Sequence, residues 1–167
     1  MTADKVWFRM TIDVIIPVYR PDEKLKSLLK GLAEQSVKPD NIIIMYTRTD
    51  GNDHLAPEYI DEGMKACTEF KLYELDRSEF DHGGTRAAAL RHSESDIFIM
   101  MTMDAVPYDE RLIEKLIAVF DKDRYVAEAY ARQLPDENSS LAERFTRGFN
   151  YPETSMLKSR DDIDTLG

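Results

Sequence analysis

The sequence predicts an α/β fold: a mostly parallel sheet with helices on both faces, in one domain spanning 1–167. Two observations carry that expectation. Short β-branched apolar runs alternate with longer segments whose apolar residues recur at helical spacing, in the order β-α-β-α-β-α-β-α-β. The chain has 167 residues, 43% apolar and 32% charged, which suits one buried core of ordinary globular composition. The single cysteine, Cys67, excludes an intrachain disulfide and a cysteine-rich zinc site. No run approaches the ~18 apolar residues of a membrane span. The N-terminus, MTADKVWFRMTIDV, lacks the apolar run of a signal peptide, so the expected location is the cytoplasm, including the inner face of the membrane. The net charge of -10 argues against nucleic acid as a partner and requires local positive charge wherever an anion binds.

The elements follow in order. IDVIIPV at 12–18 reads as a buried strand stopped by Pro17. Leu25, Leu28, Leu29, Leu32 and Ala33 mark one face of a helix, with Asp22 and Glu23 at its start, where the helix dipole favours acids. NIIIMY at 41–46 is a second strand. Leu55, Tyr59, Ile60, Met64 and Cys67 give helical spacing up to Phe70, with Cys67 on the apolar face. KLYEL at 71–75 suggests a third strand, and GGTRAAALRHSES a turn that opens a helix. IFIMMTM at 97–103 is an uninterrupted apolar strand ending at Asp104. Leu112, Ile113, Leu116, Ile117 and Phe120 predict a helix near 109–121, and YVAEAYARQ from Tyr125 a fifth strand. DENSS at 136–140 reads as a loop before a last helix. In that helix Ser140 and Glu143 have capping-box spacing, and Leu141, Phe145 and Phe149 form a packing stripe. The run Asp161, Asp162, Asp164 reads as a solvated acidic face.

In open α/β sheets a ligand sits beyond the carboxyl ends of the strands, where strand order reverses. That rule selects Val18, Tyr19 and Arg20; Thr47, Arg48, Thr49 and Asp50; Asp81 to Arg86; and Asp104. Asp104 ends an apolar strand and is followed by Ala105, Val106 and Pro107. One carboxylate, with a ligand's phosphates, suffices to hold Mg²⁺ or Mn²⁺. The same residue could instead only cap a turn before Pro107. His82-Gly83-Gly84-Thr85-Arg86 places two glycines and a helix N-terminus next to a planar cation, a combination suited to phosphate and equally compatible with a plain glycine turn. His82 reads as a hydrogen-bonding residue rather than a general base.

These residues together carry a family resemblance. VIIPVYRPDEKLKSLLKGLAEQ resembles the opening of family 2 glycosyltransferases of the GT-A, Rossmann-like fold. FDHGGTRAAAL followed by IFIMMTMDAVP, then YARQLP, FNYP and KSRDDIDTLG, resembles their rhamnosyltransferase-like branch over about Ile12 to Gly167. The resemblance implies transfer of a sugar, with rhamnose as the branch-level expectation, from a dTDP- or UDP-sugar donor to a glycan or lipid-linked acceptor in polysaccharide synthesis. It implies inversion at the anomeric carbon, a divalent cofactor (Mg or Mn) and peripheral membrane association. It assigns Asp104 to the metal, because Thr102-Met103-Asp104 stands where the family has Asp-x-Asp. It assigns Arg86, Gly83, Gly84 and Met103 to the nucleotide-sugar, with Pro17, Val18 and Tyr19 lining the base and ribose pocket. Many members carry an aspartate after the second strand that reads the pyrimidine; here Thr47 or Asp50 would substitute. Members also continue past this segment, so the chain is expected to be the donor-binding part, with the acceptor region and general base outside it and no catalytic base assigned. A sugar nucleotidyltransferase would place the glycine loop after the first strand. A receiver domain would need paired acids there, where this chain has Tyr19 and Arg20. A non-catalytic nucleotide-sugar-binding module remains as the alternative.

Overall fold

A computed structural model describes residues 10–123, 125–136 and 139–162. The chain forms two compact units, Met1–Asp123 and Arg124–Gly167.

The first unit is built on four strands: β1 (Ile12–Tyr19), β2 (Asn41–Thr47), β3 (Glu69–Leu75) and β4 (Ile97–Met100). All pairings are parallel, and the order is β3-β2-β1-β4. Four helices accompany them: α1 (Glu23–Ala33), α2 (Pro57–Ala66), α3 (His82–Leu90) and α4 (Leu112–Lys122). The strand faces alternate as a pleated sheet requires. Val14, Ile16, Val18, Ile42, Ile44 and Tyr46 pack with Leu25, Leu28, Leu29, Leu32, Tyr59 and Ile113, which puts α1, α2 and α4 on one face. Ile15, Ile43 and Met45 pack with Ala88, Ala89 and Leu90 of α3 on the other. The predicted sheet with helices on both faces is therefore the observed one.

Local chemistry fixes the elements. Asp22 is the N-cap of α1 and accepts from the Lys24 amide, and the four leucines of its predicted face are fully buried. Each buried leucine contributes about 1.5–3 kcal/mol relative to an exposed one. Pro57 opens α2, where its missing N–H costs nothing. Gly63 lies on the inner side of α2, against the Phe70 ring at the start of β3.

Several boundaries differ from the sequence reading. β3 begins at Glu69, because the amides of Thr68 and Glu69 both donate to the Asp40 carbonyl at 2.9 and 3.0 Å and start the pairing there. That ends α2 early. Cys67 is its half-buried C-cap rather than a core residue of the helix face, and its thiol donates to the carbonyls of Gly63 and Glu69. Burial pushes the Cys67 thiol pKa up. α3 begins at His82, so Gly83 and Gly84 lie inside its first turn rather than in a preceding turn. β4 stops at Met100, three residues before the predicted end at Met103.

The second unit contains α5 (Leu141–Asn150). Ser140 caps it by accepting from the Glu143 amide at 3.2 Å, as the capping-box spacing predicts. The fifth strand expected from Tyr125 does not form: a strand exists only through a backbone ladder with a neighbour, and residues 125–133 join no sheet among the described residues. The stripe Leu141, Phe145, Phe149 is present on α5, but all three are exposed rather than packed. Asp161 and Asp162 lie in an exposed 3₁₀ turn; Glu137, Asn138 and Asp164 lie outside the described residues.

Candidate functional site

Strand order reverses between β1 and β4: β1, β2 and β3 run outward in sequence, and β4 returns to the other side of β1. The crevice expected of such a sheet therefore opens beyond Ile15–Tyr19 and Met100–Asp104. Pro17 explains why it opens. The β1–β4 ladder bonds through Thr11 and Ile15, ending with the Met101 amide on the Ile15 carbonyl at 3.0 Å. The next donor from β1 toward that side would be residue 17, and proline has no N–H. The ladder cannot continue, and the chain leaves the sheet after Met101 while β1 runs on to Tyr19.

Asp104 stands in the turn that follows. The Ala105 amide donates to the Thr102 carbonyl at 3.0 Å and the Val106 amide to the Asp104 carbonyl at 3.2 Å. The Asp104 side chain is exposed, and among the described residues no hydrogen bond or ion pair engages its carboxylate. Met103 packs against the core through its side chain. No group of three or more His, Cys, Asp or Glu side chains capable of holding a metal occurs among the described residues. The residues present fit a Mg²⁺ or Mn²⁺ ion only in the manner that takes one carboxylate here and its other ligands from a bound phosphate and water.

The turn is anchored from below. Gln35, 4% exposed, donates through Nε2 to the carbonyls of Gly31 and Asp109 at 3.1 and 2.8 Å and accepts the Ile113 amide at 3.1 Å. The Ser36 amide donates to the Glu110 carbonyl at 2.7 Å, and its hydroxyl to Glu114 at 2.9 Å. Arg111, the N-cap of α4, makes no side-chain cap bond, so Gln35 supplies the cap from 78 residues away. A Cβ at Gly31 would lie 3.0 Å from Pro107 Cδ, so α1 and the segment after Asp104 touch backbone to ring.

The other predicted residues fall as follows. Tyr19, Thr47 and Leu75 are register partners across the carboxyl ends of β1, β2 and β3. Thr47 is 2% exposed and Val18 1% exposed, within opposite layers of the core, so both can reach a ligand only through backbone atoms. Pro17 and Tyr19 are half-buried at the crevice. Asp81 caps α3 by accepting from the Gly84 amide, and the Thr85 amide donates to its carbonyl at 2.8 Å. The Gly84 N–H is therefore spent within the turn. The Arg86 guanidinium lies back on His82, 3.1 Å from its carbonyl oxygen and 3.3 Å from Nδ1. His82 stands edge-on to Phe80.

Asp50 is also spent on its own loop, accepting from the amides of Asn52 and Asp53 at 3.0 Å each. Asp53, which the sequence reading did not single out, organises that loop. Its carboxylate accepts from the Tyr46 hydroxyl and from the amides of Thr49 and Asp50. The Tyr46 hydrogen bond, with those amides, holds the Asp53 carboxyl well below the usual carboxylate range. Burial, with Asp53 beside it, pushes Tyr46 up to about 12. The turn signature Asp50-Gly51-Asn52-Asp53, with Gly51 at φ 84°, was the signal available for it. Arg48 is paired with Asp76 at 3.0 Å, and Glu74 lies 2.9 Å from His54 Nδ1. Two arginines stand by Tyr19: Arg20, whose φ of 50° is the one positive value at a non-glycine among the described residues, and Arg77, which donates to the Tyr19 hydroxyl.

Comparison with known proteins agrees with this architecture. The glycosyl transferase family 2 profile matches residues 13–165. The chain is 30% identical over 162 residues to the O-antigen chain rhamnosyltransferase RfbN of Salmonella typhimurium, covering 95% of this chain and 48% of that protein. It is 29% identical over 157 residues to the O-antigen chain rhamnosyltransferase WbaN of Salmonella anatum, covering 92% and 47%. The chain thus spans about half the length of the curated relatives it matches. Residues 1–349 of Staphylococcus aureus TarS superpose with a TM-score of 0.56 at 18% identity, covering 76% of this chain and 39% of that one. The same TarS segment in complex with UDP-GlcNAc gives 0.54 at 18% identity, covering 76% and 37%. The fold is GT-A, and the chain belongs to glycosyl transferase family 2.

Proposed function

We propose that this chain is the donor-binding part of a glycosyltransferase that moves a sugar, rhamnose by its relatives' names, from a dTDP- or UDP-sugar to a glycan or lipid-linked acceptor in surface polysaccharide synthesis. The observation that carries the reading is the strand-order reversal at Pro17, where the β1–β4 ladder ends, with a carboxylate, Asp104, in the turn that follows and unengaged among the described residues. A doubly wound sheet binds nucleotides at that place. A lipid-linked acceptor would bring the protein to the inner face of the membrane.

In the proposed reaction an acceptor hydroxyl oxygen attacks the anomeric carbon, the bond to the diphosphate oxygen breaks, and the hydroxyl proton passes to a general base. Attack opposite the leaving group inverts the anomeric centre. Charge accumulates on the departing diphosphate, so stabilising it is the main task of a donor site. A divalent ion held by Asp104 would supply positive charge to that diphosphate. Arg86 lies on the α3 turn with its planar cation available to the same group once it leaves His82. Pro17 and Tyr19 form the wall against which a base and ribose would rest.

Thermal unfolding with dTDP, UDP and GDP, each with Mn²⁺ or with chelator, tests the reading. A nucleotide at about a hundred times its dissociation constant adds roughly 2.7 kcal/mol, a rise of several degrees. The rise should favour one pyrimidine diphosphate. Asp104→Asn should remove its metal-dependent part, and Arg86→Ala should weaken it with metal or chelator alike. No rise with any nucleotide would overturn the donor site.

A further inference from the structure

We infer that Arg20 and Arg77, bracketing Tyr19 at the carboxyl end of β1, form a metal-independent clamp for the diphosphate of the donor; the inference rests on the donor-site reading above.

Four observations converge on this pair. The Arg20 guanidinium lies 5.2 Å from the centre of the Tyr19 ring. The Arg77 guanidinium carbon lies 5.4 Å from that centre, and its Nη1 donates to the Tyr19 hydroxyl. Neither guanidinium meets a carboxylate among the described residues, whereas Arg48 is paired with Asp76 and Arg111 with Glu114. In a chain of net charge -10, arginines that meet no carboxylate are the positive groups an anion needs.

The backbone supports the same assignment. Arg20 sits at φ 50°, a conformation costly for a side chain with a Cβ and one that glycine would adopt freely. Strain of this kind persists where the surroundings demand it, and here it leaves the guanidinium beside the Tyr19 ring. Arg77 belongs to the turn after β3, beyond β2 from Tyr19. It reaches the end of β1 across the position where Thr47 is buried. The Tyr19 hydroxyl takes only one of its five N–H donors, so the rest of the fork can donate to a ligand. Two planar cations beside one ring suit a group with several adjacent anionic oxygens, which a diphosphate is and a nucleoside is not.

The test uses titration calorimetry in EDTA, so that no metal contributes, with UDP, dTDP, inorganic pyrophosphate, uridine and thymidine as ligands. Arg20→Ala and Arg77→Ala should each weaken diphosphate binding about tenfold and leave nucleoside binding unchanged. Arg20→Gly separates function from structure. It relieves the positive φ, so its unfolding temperature should be no lower than wild type while its diphosphate affinity falls as far as that of Arg20→Ala. Tyr19→Phe keeps the ring and removes the anchor of Arg77, and should weaken diphosphate binding less than Arg77→Ala. Unchanged diphosphate affinity in the arginine variants, or an equal loss of nucleoside affinity, overturns the clamp alone. Pyrophosphate binding that depends on both arginines without binding of any nucleotide upholds the clamp and overturns the donor-site reading.

Discussion

Replacing Gln35 with methionine keeps the length of the side chain and removes every hydrogen bond it makes. Its amide bridges three places: the last turn of α1 at Gly31, the carbonyl of Asp109, and the Ile113 amide in the first turn of α4. The Ile113 N–H is buried, and leaving such a donor unpaired costs about 1–3 kcal/mol. The two carbonyls are half-buried, and each lost bond there costs about 0.5–1.5 kcal/mol. Together the change should destabilise the chain by roughly 2–6 kcal/mol, with a fall in Tm of roughly 4–24 °C for a chain of this size. Urea and thermal unfolding measure the loss. Amide exchange at Ile113 measures its locality, because opening of the α4 start should accelerate that amide before the β1 amides. Gln35→Glu should be no better, since its carboxylate would face two carbonyl oxygens in a site that offers one donor. An unfolding temperature within about 1 °C of wild type, with Ile113 still protected, would refute the view that Gln35 holds the segment bearing Asp104.

Two further outcomes follow from the packing and the charges. Gly63→Ala would place a Cβ 2.1 Å from Phe70 Cε2, an overpacking that costs about 1–3 kcal/mol against a helix-propensity gain of at most about 1. A net loss in urea unfolding, relieved by adding Phe70→Leu, is expected, and a more stable Gly63→Ala would sink the argument. The Tyr46–Asp53 bond gives stability at both pH limits a definite sign. Asp53 is depressed in the folded chain, so its contribution is complete above about pH 4 and is lost as pH falls through the folded value. Tyr46 is raised to about 12, so its contribution is complete below about pH 10 and is lost as pH rises from there through 12. Urea midpoints across pH should fall off less steeply at both ends in Tyr46→Phe; a profile parallel to wild type would count against the bond.

Much of the first unit was legible because burial on both sides of a parallel sheet leaves unbroken apolar runs. IDVIIPV and NIIIMY could hardly be anything but central strands, and the leucines of α1 sit on the face their spacing assigns. The misplaced boundaries have one kind of cause. The start of β3 is set by the Asp40 carbonyl, and the end of β4 by the proline on its neighbour, so each depends on a strand distant in sequence. The fifth strand failed for the same reason, since the segment has a suitable composition but joins no sheet among the described residues. Periodicity reports which residues can pair and not whether a partner arrives.

The site divides along a similar line. The positions of Asp104, Tyr19 and Arg86 were legible because topology alone sends strand ends and a following helix to one edge. Gln35, Asp53 and Arg77 were not, because each acts through a contact that residue type does not announce: an amide capping a helix 78 residues on, a carboxylate turned back on its own loop, a guanidinium reaching across a strand. Those contacts also decide which predicted residues can act. Asp50 and Gly84 have the chemistry for a ligand, yet their polar groups are consumed in closing their own turns. Asp104 has the same chemistry, and its carboxylate is left unengaged because the turn around it closes through backbone groups alone. What separates a turn-forming aspartate from one open to a ligand is thus the accounting of hydrogen bonds, and among the described residues at this sheet edge Asp104 is the aspartate whose carboxylate has none of its acceptors used.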